Sequence, residues 1–311
     1  MAFTAKDVQK LREMTNVGMM DCKKALQAAD GDMDKAVEWL REKGLATAAK
    51  KAGRIAAEGA VKAVVENGIG AVVEVNAETD FAANSDKFKE LVNDIVTVVL
   101  ENNPADLAAL KACTYPGSDK TVEEMMPEKI FVIGENIQIR RFERYDTGVS
   151  VPYIHMGGRI GVLINLEVEG IEASAVTELG KDLCMQIAAM NPAFLDKADV
   201  DAATLDKERE IQLTLAREEN AKSAKPKPDA IIEKMVEGRI GKYYEENCLM
   251  QQAFVKENKI SVEKHVAEVA KELGGSIKVV KYVRFEKGEG IEKKVDDFAA
   301  EVAAQIANAG K

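Results

Sequence analysis

The chain has 311 residues, of which 46% are hydrophobic, and it carries a formal net charge of −10. This length and composition are typical of a globular protein with about two domains. The acidic balance argues against nucleic acid or an anionic membrane as a main partner, because phosphate binding needs basic surface. No apolar run approaches the roughly 20 residues of a membrane helix. The cysteines form no CxxC pair, which predicts reduced thiols, no zinc site and a cytoplasmic location; they are Cys22, Cys113, Cys184 and Cys248.

The N-terminal residues 4–44 have the pattern of three short helices. Thr4 is placed to cap the first helix, "TNVG" at 15–18 and "DGD" at 30–32 separate the helices, and Gly44 is expected to end the third. Residues 45–57 are expected to be a helical or loose linker. A bundle this small has a thin core, which is more typical of a docking module than of a catalytic one. The predicted apolar stripes are Val8 and Leu11; Met19, Cys22, Ala25, Leu26 and Ala29; and Met33, Val37 and Leu40.

A β-hairpin is predicted next. The β-rich runs "GAVKAVVE" and "AVVEVNA" are joined by "NGIG", a strong turn signal. A polar loop, "ETDFAANS", then leads into a helix that Ser85 is placed to cap. The helix is indicated by apolar residues at helical spacing: Phe88, Leu91, Val92, Ile95, Val98 and Val99.

A second block repeats this pattern after a strand over "ENIQIRRFERY". Its hairpin runs from "VSVPYIHM" through "GG" to "RIGVLINLEVEG", and a helix follows with Val176, Leu179, Leu183 and Ile187 on one side. The hairpin strands of the two blocks align at an offset of 91 residues, whereas their helices align at an offset of 88. The first block therefore has three extra residues, which fall within "ETDFAANS". Two unrelated hairpin–helix units would also look alike, so the alternative of a chance match stays open.

Residues 201–247 read as two polar helices around "KPKP" at 225–228. Their apolar residues lie on one side, which predicts a protruding antiparallel coiled-coil arm. These residues are Ile211 and Leu215 in the first helix, and Ile232, Met235, Val236, Ile240 and Tyr243 in the second. A last strand is predicted at 276–286. A final amphipathic helix is indicated by Val295, Phe298, Val302 and Ile306.

No constellation of catalytic residues is apparent. The two histidines, His155 and His265, have no partner at ligand or triad spacing, and each is expected to be a surface or hydrogen-bonded core residue. There is no phosphate-binding GxxxxGK[ST] loop, and "GGRIG" at 157–161 lies in a hairpin where it cannot bind a dinucleotide. This pattern favours a binding protein without a metal or cofactor.

Three apolar residues stand out because polar segments surround them. Phe81 lies beside Asp80 on the polar loop, where the ring either folds back under the loop or projects as a probe for a partner. Met19 and Met20 open a helix side by side and cannot both face one thin core. Either one is a core residue, or both belong to a partner-binding surface.

Seven segments together resemble bacterial elongation factor Ts over the whole length of the chain. They are "LREMTNVGMMDCKKAL", "AAKKAG", "VNAETDFAANSDKF", "IGENIQIRR", "HMGGRIGVL", "EKMVEGRI" and "RFEKGEGIEKKVDDFAAEVAAQ". The resemblance implies an α+β fold with a three-helix module of the ubiquitin-associated type, a core of two related subdomains, a coiled-coil arm and a C-terminal helical module. The implied boundaries are 1–55 for the first module, 56–145 and 146–200 with 248–288 for the subdomains, 201–247 for the arm, and 289–311 for the last module.

The resemblance also implies a function. The family exchanges guanine nucleotide on elongation factor Tu, a GTPase, and performs no covalent chemistry. Its exchange loop, which disturbs the Mg²⁺ and phosphate site of the GTPase, matches Thr79, Asp80, Phe81, Ala82 and Ala83. Here Ala82, Ala83 and Asn84 replace larger and basic residues that are common in the family. The side chains expected to disturb the nucleotide site are therefore those of Asp80 and Phe81. The implied contacts with elongation factor Tu match Leu11, Met19, Met20, His155 and Phe298.

The alternative interpretation is a non-catalytic adaptor or chaperone-like scaffold. Such a protein would dock through the three-helix module and leave the rate of nucleotide release unchanged.

Overall fold

The computed structural model describes residues 3–223 and 225–292. The fold is of the α+β class, and the chain divides into two compact units. Among the described residues, the first unit comprises 3–62, 73–142 and 286–292, and the second comprises 63–72 and 143–285. No helix within these residues is long and apolar enough to cross a membrane.

Three helices open the first unit: α1 (Ala5–Thr15), α2 (Met19–Ala28) and α3 (Met33–Lys51). Thr4 caps α1 as predicted, in a reciprocal capping box with Asp7. Asn16 adopts the left-handed conformation that ends α1, which makes "TNVG" the expected turn. The core of the bundle consists of Val8, Leu11, Val17, Cys22, Ala25, Leu26, Ala29, Ala36 and Leu40.

The predicted end of the third helix at Gly44 is wrong. Gly44 is buried inside α3, which continues through the segment expected to be a linker as far as Lys51. A Cβ at Gly44 would lie 3.5 Å from the carbonyl oxygen of Pro127, on a neighbouring helix. This is an ordinary van der Waals distance, so Gly44 is simply a buried position inside the helix, and the alanines that follow are strong helix formers.

The hairpin that follows the bundle in the chain belongs to a three-stranded sheet with the order β1-β2-β3. The turn of the hairpin has left-handed backbone at both Asn67 and Gly68, as the "NG" pattern predicts. The strands are β1 (Glu58–Glu66), β2 (Ile69–Ala77) and β3 (Gln138–Tyr145). The helices are α4 (Asp80–Ala83), α5 (Asp86–Asn102), α6 (Leu107–Ala112) and α7 (Val122–Ile133).

The second unit has a three-stranded sheet with the order β4-β5-β8, and α8 packs on β4 and β5. β4 pairs with β5 in an antiparallel register that runs from Val149 opposite Leu166 to His155 opposite Ile160. The strands are β4 (Val149–His155), β5 (Ile160–Glu169), β6 (Ala253–Phe254), β7 (Glu257–Ser261) and β8 (Ser276–Glu286). The helices outside the arm are α8 (Thr177–Met190) and α11 (Val262–Leu273).

Two long helices, α9 (Ala202–Ala221) and α10 (Asp229–Asn247), form a helical hairpin within the second unit. The predicted apolar side of α9 is wrong at Ile211 and Leu215, which are exposed. The contact between the two helices is narrow. Its buried residues are Ala216, Ile232, Val236 and Ile240.

The two hairpin–helix blocks correspond residue by residue. β2 begins at Ile69 and β5 at Ile160, which is the predicted offset of 91. The buried residues of α5 match buried residues at an offset of 88, so the three extra residues do lie between β2 and α5. These buried residues are Phe88, Leu91, Val92, Ile95, Val96, Val98, Val99 and Leu100 in the first block, and Val176, Leu179, Gly180, Leu183, Cys184, Gln186, Ile187 and Ala188 in the second.

Candidate functional site

The segment with the three extra residues is a single helical turn, α4, rather than an irregular loop. Thr79 caps it, with the side-chain oxygen accepting a hydrogen bond of 3.2 Å from the Ala82 N–H. The ring of Phe81 is 86% exposed, the largest exposed fraction of any large apolar side chain in the described part of the chain. The alternative in which the ring folds back under its own loop is therefore wrong.

The other face of the turn is anchored in the protein. Ala82 and Ala83 are buried, so their small side chains let the turn sit close to the core. The Asn84 amide donates to the Asp80 carbonyl at 2.9 Å, and the Ser85 hydroxyl donates to the Ala82 carbonyl at 2.7 Å. Ser85 also caps α5, as predicted. Asp80 and Phe81 thus project from a backbone that is hydrogen-bonded on both sides.

Side chains from the α7–β3 connection fix the start of the turn. The Glu135 carboxylate accepts hydrogen bonds from the Thr79 N–H at 3.0 Å and from the Thr79 hydroxyl at 2.6 Å. The Glu78 carboxylate accepts from the Asn136 N–H at 2.6 Å and pairs with Arg54 at 3.3 Å. The turn is therefore tied to residues that are more than 50 positions away in the sequence.

A second apolar surface lies on the three-helix bundle. Met19 and Met20, at the start of α2, are 43% and 63% exposed. The alternative that one of them is a core residue is wrong, because both side chains are exposed and the buried residues of α2 are Cys22, Ala25 and Leu26. Met14, which the sequence analysis did not single out, is 57% exposed near the end of α1. Met14 lies three residues after Leu11, a spacing that is also found within a core stripe, so the spacing alone does not reveal its exposure.

Leu11 was expected to contact the partner, but it lies in the core of the bundle. It has no exposed surface and lies at the centre of the bundle core. A side chain with no exposed atom cannot touch a partner, so the direct contact predicted for Leu11 is corrected to a supporting position beneath the surface. The neighbouring Arg12 is exposed.

A cleft of about 300 Å³ opens beside Met14, between the bundle and α7. Its walls include Val17 and Phe131, and Lys87 closes one side by donating to the Asn16 carbonyl at 3.1 Å. We call the exposed residues Met14, Met19 and Met20 the methionine surface. The hydrogen bond joins α5, the helix that follows the Phe81 turn, to the segment between Met14 and Met19. The Phe81 turn and the methionine surface are therefore connected within the first unit.

His155 lies in the second unit, at the end of β4. Its Nδ1 is 3.0 Å from the Tyr153 hydroxyl, the two rings are stacked, and the side chain is partly buried. The next residue, Met156, is 65% exposed and has left-handed backbone at φ 49°. His265 instead stacks on Phe254 with ring centroids 4.1 Å apart, which is a packing role.

A buried carboxylate, Glu74, holds the C-terminal part of the described chain. It accepts from Arg140 at 3.0 Å, from Arg141 at 2.6 Å and from the Gly288 N–H at 2.8 Å. Burial alone would raise the pKa of Glu74, but these hydrogen bonds outweigh it and keep the pKa below its ordinary value. Phe298 and the predicted C-terminal helix lie outside the described residues.

Within residues 3–223 and 225–292, no cluster of three or more histidine, cysteine, aspartate or glutamate residues could hold a metal ion. The prominent features are instead an exposed ring on an anchored turn and an exposed methionine surface. Such features are typical of a protein that acts by binding another protein.

Comparison with known proteins specifies the family. The sequence model of the family described as Elongation factor TS matches residues 78–289. The chain is 48% identical to elongation factor Ts of Syntrophotalea carbinolica, over 98% of this chain and 99% of that one. It is 51% identical to elongation factor Ts of Clostridium perfringens strain SM101, over 97% and 98% of the two chains, and 47% identical to that of Magnetococcus marinus, over 98% and 99%. The chain belongs to the elongation factor Ts family, whose members are translation elongation factors that promote nucleotide exchange on elongation factor Tu.

Proposed function

We propose that this protein binds elongation factor Tu in its GDP form, inserts Asp80 and Phe81 near the Mg²⁺ and phosphate groups, and so accelerates GDP release in the cytoplasm. The observation that carries this proposal is the 86% exposure of Phe81 on a turn whose opposite face is buried and hydrogen-bonded. A ring held in this way is already in a conformation that can insert into the partner before the two proteins bind.

The physical problem of exchange is electrostatic. A GTPase holds GDP through a phosphate-binding loop and a Mg²⁺ ion, which is among the largest local charges in the site. The groups around the ion orient its ligands. Moving one of these groups therefore weakens the binding of both the ion and the phosphates. An apolar ring can displace such a group without replacing its interactions, because the ring has no oxygen or nitrogen atom that could bind the ion or the phosphates.

Asp80 adds a charge beside the ring. A carboxylate brought toward the phosphates repels them, and it is also an oxygen ligand that competes for Mg²⁺. Both residues lie on the outward face of α4, whereas Ala82 and Ala83 face the core and support the turn. The exchange activity is therefore assigned to Asp80 and Phe81, with Thr79 as the residue that shapes the turn.

The docking surfaces supply the free energy for this distortion. In the proposal, Met19 and Met20 bind the GTPase domain together with Met14, and the segment around His155 binds another part of elongation factor Tu. Flexible methionine side chains bury large apolar areas against a partner. A protein that binds the nucleotide-free GTPase more tightly than the GDP form must weaken GDP binding by the same factor.

The test is the rate of fluorescent GDP release from purified elongation factor Tu, measured by stopped flow with and without this protein. We expect release to accelerate with protein concentration until it saturates. An adaptor or scaffold would bind elongation factor Tu, as seen by calorimetry, and leave the release rate unchanged. That result would overturn the proposal.

A further inference from the structure

We propose that Glu135 is a positioning residue for nucleotide exchange: it acts by holding the turn that carries Phe81 in its projecting conformation. The inference rests on the proposed function of Phe81 and extends it to a residue that lies 56 positions after Thr79, the cap of the turn. Glu135 belongs to the connection between α7 and β3 and is partly buried. No contact between Glu135 and the partner is needed for this role.

The first argument comes from the hydrogen bonds of Thr79. Its hydroxyl donates to one Glu135 oxygen at 2.6 Å and accepts from the Ala82 N–H at 3.2 Å, while its own N–H donates to the other Glu135 oxygen at 3.0 Å. The carboxylate therefore orients the same hydroxyl that caps the turn. Hydrogen bonds to an ionised acceptor are stronger than those between neutral groups.

The second argument is that the turn cannot hold itself. A helix of four residues is far below the length at which helices are stable in water, since forming the first turn is unfavourable. Its conformation must come from tertiary contacts. The buried alanines fix one face, and the Glu135 carboxylate fixes the start, which sets the direction in which Phe81 points.

The third argument is that Glu135 sits in a cluster of hydrogen bonds that reaches the three-helix bundle. Lys51, the last residue of α3, donates to the carbonyl of Gly134. The Asn136 side chain donates to the Arg54 carbonyl at 2.7 Å, and Arg54 pairs with Glu78 beside the turn. The helix bundle that carries the methionine surface is thus joined to the Phe81 turn through the residues on both sides of Glu135.

This arrangement reduces the cost of insertion. If the turn were mobile, part of the binding energy would go into ordering it before the ring could enter the partner. With the turn fixed relative to the bundle, docking through the methionines delivers the ring to a defined place. Loss of the Glu135 carboxylate should therefore slow exchange more than it weakens docking.

The experiment compares Glu135→Ala, Glu135→Gln and the control Glu101→Ala in the full-length protein. Glu101 is an exposed glutamate in the same unit, and none of the described residues forms a hydrogen bond or ion pair with its side chain. We expect Glu135→Ala to lower the maximal rate of GDP release about 3- to 10-fold, because two hydrogen bonds to a charged group are lost. Glu135→Gln keeps one acceptor oxygen, so its maximal release rate should lie between those of Glu135→Ala and the wild type. The rate of Glu101→Ala should match the wild type.

A double-mutant cycle with Phe81→Ala separates positioning from general damage. If Glu135 acts by placing the ring, Glu135→Ala lowers the release rate by a smaller factor once Phe81 is alanine, and the remaining effect comes from Asp80 on the same turn. If the two effects multiply, the positioning role is wrong. An unchanged release rate in Glu135→Ala alone would also overturn it.

Amide hydrogen exchange of the free protein gives a readout that does not depend on elongation factor Tu. We expect the Ala82 and Ala83 amides to exchange faster in Glu135→Ala, while amides in β2 and α5 keep their wild-type rates. Unchanged exchange at Ala82 would show that the carboxylate does not hold the turn. A wild-type protein that fails to accelerate GDP release would instead refute the proposed function and leave this measurement interpretable.

Discussion

Replacing Phe81 by alanine removes the ring and leaves the protein that carries it intact. The ring is 86% exposed, so the substitution takes almost no packing away from the free protein. Surface substitutions of this kind change the free energy of unfolding by no more than about 0.5 kcal/mol. The thermal unfolding midpoint of Phe81→Ala should therefore match that of the wild type.

The effect on exchange can be estimated from the exposed area. A phenylalanine buries roughly 200 Å² when fully enclosed, of which about 170 Å² is exposed here. At about 25 cal/mol per Å², complete burial in a partner would contribute about 4 kcal/mol. A wedge that is covered on about half of its surface contributes about 2 kcal/mol, which corresponds to a loss of about 30-fold in the release rate.

The assay is stopped-flow release of fluorescent GDP from elongation factor Tu at saturating concentrations of each variant. Phe81→Leu should lose only about threefold, since it keeps most of the apolar area. Leu273→Ala is the matched control, because it removes an exposed apolar side chain from α11, far in the sequence from either predicted contact surface. If Phe81→Ala releases GDP as fast as the wild type, the ring is not the wedge and the reasoning fails.

Three further substitutions test separate parts of the account. Met20→Ala should weaken association with elongation factor Tu about tenfold by calorimetry, with unfolding unchanged; equal affinity would remove Met20 from the interface. Gly59→Ala should lower the unfolding free energy by more than about 3 kcal/mol, since φ is +129° and a Cβ would collide with the Val75 carbonyl; a near-normal melting curve would contradict this. Glu74→Gln should cost about 3 kcal/mol by denaturant unfolding. Because the pKa of Glu74 is lowered on folding, its contribution is complete above its ordinary value of 4.5 and is lost as the pH falls below that; a wild-type acid-unfolding profile in Glu74→Gln would refute the assignment.

The elements with strong local signals were predictable from the sequence. Thr4 and Ser85 cap helices as expected, and the Asn67–Gly68 turn joins the hairpin. The offsets of 91 and 88 residues located an insertion that the structure shows as α4. These features depend on neighbours in the sequence, which is why the pattern alone was enough.

Features that depend on distant residues were not predictable. Gly44 looked like a helix end, because only the fold shows that α3 continues past it and buries it beside Pro127 of α7. The helix α7 contains Pro127, which locally argues against a helix, and it was missed altogether. Leu11 and Met14 lie three residues apart on α1, yet one is in the core and the other is exposed.

The candidate site was predictable in part for the same reason. The sequence pointed to Asp80 and Phe81 because a ring and a carboxylate are unusual neighbours on a short polar segment. It gave no sign of Glu135, since the hydrogen bonds to Thr79 come from a segment that only the fold brings near. The exposed residues Asp80 and Phe81 could be identified from the sequence, whereas Glu135, which fixes their turn, could not.

The most direct test of the exchange function uses substoichiometric amounts of the protein. Elongation factor Tu loaded with fluorescent GDP is mixed with excess unlabelled GDP and a small fraction of this protein, and the fluorescence is followed to completion. An exchange factor turns over, so all the labelled GDP should be released at a rate proportional to the amount of protein added. Release that stops once each added molecule has displaced one nucleotide, or that proceeds at the unassisted rate, would contradict the account.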